Sequence, residues 1–131
     1  MIIMESTVDF IKRKNEQFQN EKARVRTREI GRNARCYYVR EAWTFLPQHN
    51  LEHDKVFVFE RLRMERIEGG EIAFKSSWAE GNIEYRIGYY IRGKIKRAKD
   101  KWVWGQYCPL IPHKDLLSLF LKAKTEKVIL D

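Results

Sequence analysis

Arg92, Lys94, Lys96, Arg97, Lys99 and Lys101 crowd six cations into the eleven residues from Ile91 to Lys101, with Asp100 the one acid among them. Cations at this density hold phosphate or another polyanion; by themselves they break no bond. The preceding residues predict how they are displayed. Ile83, Tyr85, Ile87, Tyr89, Ile91, Gly93 and Ile95 alternate with Glu84, Arg86, Gly88, Tyr90, Arg92 and Lys94. A period of two is the mark of a strand with one buried face. Pairing Lys96 with Lys101 across a tight turn sets Ile95 opposite Trp102 and Gly93 opposite Trp104. In that register the isoleucines and tryptophans face inwards, and Trp104 covers the bare backbone of Gly93. Arg86, Arg92, Lys94, Lys96 and Lys101 then share the outer face, with Tyr90 among them as a ring on which a base can stack.

A second basic block precedes the first strands. Residues 12–40 carry ten basic and three acidic side chains, including Arg24, Arg26, Arg28 and Arg32. Residues 41–90 carry six basic and nine acidic ones, so two cationic blocks bracket a mildly acidic middle, within a formal net charge of +8. The expected partner is nucleic acid, DNA or RNA, held by its phosphates and without sequence specificity. Its expected contacts are Arg86, Tyr90, Arg92, Lys94, Lys96, Arg97, Lys99 and Lys101 on the hairpin, with Arg24, Arg26, Arg28 and Arg32 in the N-terminal segment.

Other chemistry finds little support. Cys36, His49, His53, Cys108 and His113 include no Cys-x-x-Cys and no paired histidines at ligand spacing, so no metal site is expected. No glycine-rich phosphate loop or dinucleotide fingerprint occurs, and no cofactor is expected. Glu41, Glu60 and Glu84 each fall mid-strand. Converging in a cleft near Tyr85 they would form an acid–base or metal cluster, the basis of an alternative reading as a small-ligand or enzymatic domain. Arg40, Arg61 and Arg86 stand beside them as ready ion-pair partners, and an enzyme is not the favoured reading. A third reading is an adaptor that binds an acidic protein surface.

The elements that must position these residues follow from pattern. Ser6 is a helix N-cap, and Val8, Ile11, Phe18 and Val25 recur at helical spacing, which predicts a helix over about 7–26. Its apolar stripe is thin, and a second copy of the same helix is its expected cover, giving a homodimer. Strands are expected within 36–108: Cys36–Leu46, Lys55–Ile67, Glu71–Trp78 after the Gly69-Gly70 corner, the strand from Ile83, and a return through Trp102 and Trp104. A C-terminal helix over about 113–127 follows Pro112, with Leu116, Leu117, Phe120, Leu121 and Ala123 as its buried side. Short connections make the five-stranded sheet mostly antiparallel. The fold class is therefore α+β: a strongly twisted sheet or partial barrel with an N-terminal and a C-terminal helix. At 131 residues this is one domain. No apolar run approaches a membrane span, no leader is visible, and the two cysteines read as free thiols, which together predict a cytoplasmic protein.

Overall fold

A dense apolar run, Val56-Phe57-Val58-Phe59, lies in the middle strand of a five-stranded antiparallel sheet. It is buried on both faces, which is why it runs apolar without alternation. The structure is a computed structural model, which describes residues 4–21, 24–29, 33–70 and 81–131. In chain order the elements are α1 (Thr7–Glu21), β1 (Arg24–Glu29), β2 (Ala34–Pro47), β3 (Lys55–Gly69), β4 (Ile83–Arg92), β5 (Trp102–Trp104) and α2 (His113–Thr125). The sheet order β1-β2-β3-β4-β5 follows the chain. Register shifts between Tyr37 and Tyr38 and between Arg40 and Ala42 bend β2, and the sheet curls into a half-barrel. The expected α+β class with a twisted partial barrel and two helices is the observed one.

Alternate residues of β3 feed two cores. Val56 and Val58 point to one side, where Phe10 and Phe18 of α1 join Phe45 and Tyr90. Phe57 and Phe59 point to the other, where they meet Leu119 and Ala123 of α2 and Val128. A third cluster at the far end holds Val25, Cys36, Tyr38, Leu62 and Met64. Ser6 caps α1, its Oγ accepting the Asp9 amide at 3.1 Å. Asp115, in the first turn of α2, accepts the His49 amide and pairs with His49 Nδ1 at 2.8 Å, tying the β2–β3 turn to that helix.

Three expectations need correction. The first helix stops at Glu21, and Arg24–Glu29 is a strand paired with β2. Arg-Val-Arg-Thr-Arg-Glu alternates, with β-branched Val25 and Thr27 on the inward side, and a free sheet edge offers it ladder bonds that outweigh helix propensity. The face that α1 turns to the sheet is also shifted from the expected stripe: Phe10 and Phe18 are buried and Ile11 is partly buried, while Val8 stands 75% exposed. Of the expected buried side of α2, Ala123 is buried, but Leu116, Leu117, Phe120 and Leu121 are exposed, and Asp115 and Leu119 are buried in their place. The expected strand Glu71–Trp78 and the expected contact Arg32 lie outside the described residues.

Candidate functional site

The basic stretch after β4 does not close by pairing Lys96 with Lys101. Gly93 bridges to Lys99, its amide donates to the Lys101 carbonyl at 2.8 Å, and its own carbonyl accepts the Asp100 amide at 2.9 Å. Between them Lys96–Ala98 forms one 3₁₀ turn, with Lys96 and Asp100 in the left-handed region at φ 53° and 61°. Only glycine fits at position 93, since a Cβ there would stand 2.0 Å from the Ala98 carbonyl oxygen. This closure spends backbone donors and acceptors inwards and leaves Lys96, Arg97, Lys99 and Lys101 exposed on one small, hydrogen-bonded loop.

The loop also resets the register of the hairpin. Tyr90 lies opposite Trp104, Ile91 opposite Val103, and Arg92 opposite Trp102. The tryptophans therefore share a side with Tyr90 and Arg92, and that side is covered by α1. Trp104 covers a strand glycine as expected, but the glycine is Gly88, where a Cβ would meet the indole at 2.1 Å.

Two of the expected nucleic-acid contacts, Tyr90 and Arg92, are consequently interior groups, and a third, Arg86, is half-buried. Tyr90 is buried among Phe10, Phe45 and Trp104, and burial together with Glu60 pushes its hydroxyl pKa up to about 12. Its ring is no exposed stacking platform. Arg92 is 7% exposed; its guanidinium donates to the carbonyls of His53 and Glu5, faces Asp54 at 3.5 Å and lies 4.8 Å from the Trp102 ring centre. Arg86 reaches the fully buried Glu60 at 2.9 Å and stacks on Trp104. Lys94 stays exposed and engages Asp54 at 2.9 Å, and that lysine holds the Asp54 carboxyl below its ordinary range. The N-terminal arginines lie elsewhere. Arg24 and Arg26 are exposed on β1, which also carries Arg28, and Arg24 pairs with Glu65 at 3.0 Å. Since β1 and β5 are opposite edges of the sheet, the two cationic blocks are not neighbours in the ladder.

The 96–101 loop and α1 enclose an open cleft of about 740 Å³, lined by Glu5, Arg13, Lys96, Arg97, Lys99, Asp100, Lys101 and Trp102. Arg13 is the side chain that sequence reasoning did not single out. It belongs to the basic triplet Lys12-Arg13-Lys14, and helix phase alone decides which of the three turns to the loop. Its guanidinium grips Glu5 with two hydrogen bonds, of 2.7 and 2.9 Å. That bond holds the Glu5 carboxyl below its ordinary value and raises Arg13. The pair is locally neutral, so the charge of the cleft belongs to the loop. Among the described residues, none of Lys96, Arg97, Lys99 and Lys101 has an ion-pair partner. Trp102 forms the wall. Its ring stacks on Phe10 at 4.6 Å, and its indole nitrogen donates to the Glu5 carbonyl at 3.1 Å, which fixes the start of α1 beside the loop.

The carboxylates of the alternative reading do not converge. Glu41 takes Arg61 at 3.2 Å and Arg63, and these bonds lower its pKa, with Arg63 the larger cause. Glu60 takes Arg40 and Arg86, and Glu84 accepts the Tyr38 hydroxyl. Among the described residues no three His, Cys, Asp or Glu side chains gather as metal ligands, and no helix is long and apolar enough to cross a membrane. Comparison with protein-family models, with curated proteins and with solved structures returned no match.

Proposed function

We propose that this protein binds nucleic acid through the phosphate backbone, using Lys96, Arg97, Lys99 and Lys101 at the mouth of the cleft beside α1. The observation that carries this reading is four exposed cations without ion-pair partners among the described residues, held on a loop whose backbone is closed by its own hydrogen bonds. Like charges packed this closely repel one another, and an anion relieves the repulsion. The aromatic rings nearby support contact with phosphates rather than bases. Tyr90 is buried and Trp102 is stacked on Phe10, so neither offers a free face of the kind a single-stranded base occupies. Recognition is accordingly of charge and backbone spacing, without base readout, and DNA and RNA are both substrates of such a surface.

The test is fluorescence anisotropy with labelled duplex DNA across a salt series. Four phosphate contacts give a log–log slope of about −3.6, from roughly −0.9 per phosphate. A slope near zero, or no binding at low salt, overturns the reading.

A further inference from the structure

Around the axis of α2 the apolar positions are Leu116, Leu117, Leu119, Phe120, Leu121 and Ala123, more than half of the circumference. A helix apolar over so wide an arc is normally covered on more than one side. Among the described residues, the sheet buries the Leu119–Ala123 side and touches the edge of the Phe120 ring. Leu116, Leu117, Phe120 and Leu121 stand 47, 62, 47 and 53% exposed, turned roughly a third of a revolution away from that contact.

The stripe continues onto the sheet. Phe120 meets Phe59 edge to face at 6.4 Å, Phe59 meets Tyr85 at 5.9 Å, and the Tyr85 hydroxyl accepts the Leu130 amide. Tyr85 and Leu130 are themselves 42 and 47% exposed. These six side chains offer on the order of 600 Å² of apolar surface, at the top of the range for the largest patch on a monomer. With its rim the patch approaches the roughly 800 Å² per partner of a standard interface.

We infer that a second copy of this chain covers this face, with two α2 helices packed antiparallel about a two-fold axis. The order of residues in the stripe supports that occupant. Leu116, Leu117, Phe120 and Leu121 are symmetric about the midpoint between Ser118 and Leu119. A two-fold axis through that midpoint sets Leu116 on Leu121 of the partner and Leu117 on its Phe120. This is the self-complementarity that an isologous contact requires. The same symmetry sets His113 opposite the partner's Lys124, and Lys114 close by. The ends of the interface are therefore basic on both sides, so salt that screens them strengthens the dimer. Phosphate binding at the 96–101 loop has the opposite salt dependence, and the two readings succeed or fail separately.

Sedimentation equilibrium on the full chain at about 0.1 and 0.5 M NaCl tests the inference. The expected result is a dimer at tens of micromolar protein that tightens severalfold at the higher salt. Leu117→Glu buries a carboxylate in each half of the interface and weakens dimerisation at least about 100-fold, while Leu117→Met keeps it. Lys124→Glu faces the partner's basic end, tightens the dimer and reverses its salt dependence; it reads the same interface if Leu117→Glu fails to fold by circular dichroism. A monomer at both salts, or a dimer that survives folded Leu117→Glu or is indifferent to Lys124→Glu, overturns the inference. Neutralising the 96–101 loop leaves the dimer intact.

Discussion

Arg92 and Arg97 are five residues apart in one basic stretch, yet their substitutions should do opposite things. Arg92→Gln removes a guanidinium that donates to the His53 carbonyl at 3.0 Å and the Glu5 carbonyl at 2.7 Å, and that faces Asp54 from a site only 7% exposed. Hydrogen bonds from a charged donor contribute about 1.5–3 kcal/mol each, and stacking on Trp102 adds about 0.5–1 kcal/mol. Allowing for the desolvation that the buried charge already costs, a loss of about 3 kcal/mol is expected. The carbonyls of Glu5 and His53 are left without that donor, so the start of α1 and the β3 entrance loosen together. Arg97→Gln, on the exposed loop, should change stability by no more than about 0.5 kcal/mol. The same change should cut one phosphate contact, reducing the salt slope by about 0.9. Urea denaturation followed by tryptophan fluorescence reads the stability of each variant, and anisotropy reads the binding. An Arg92→Gln protein as stable as wild type that no longer bound nucleic acid would refute the reasoning, because it would make Arg92 a surface contact.

Two further outcomes test the packing. Gly88→Ala places a methyl group where the Trp104 ring stands 2.1 Å away and should destabilise by about 1–3 kcal/mol; in a Trp104→Ala background the same change should cost far less, which a double-mutant cycle measures. Glu5, Glu41 and Asp54 all titrate below their ordinary values because of Arg13, Arg63 and Lys94 respectively, so the stability they contribute is complete above the unfolded carboxylate range and is lost as pH falls through the lower folded values. Glu5→Gln should accordingly lose less stability than wild type between about pH 5 and pH 3, and an identical acid titration would remove Glu5 from the account.

Much of the architecture follows from local pattern alone. The Ser6 cap, the strand beginning at Ile83, the apolar run of β3 and the helix after Pro112 each rest on a few consecutive residues whose geometry is decided by backbone sterics and periodicity. The density of cations from Arg92 to Lys101 is likewise a property of the chain. Which of those cations meet water is not. A period of two separates the faces of β4, but it identifies the outer one only when a single face is covered, and here α1 and α2 cover opposite sides of the sheet. Tyr90 and Arg92 therefore went inwards, while Ile91 on the other face is left partly exposed. The loop closed by Gly93 and Lys99 then moved the β5 register and carried both tryptophans to the α1 side. Arg24–Glu29 became a strand because β2 had an edge to offer, and Arg13 joined the cleft because helix phase and the Trp102–Glu5 hydrogen bond brought α1 to the loop. These outcomes depend on contacts between residues distant in the chain, whose energies exceed local preference by more than any local pattern records.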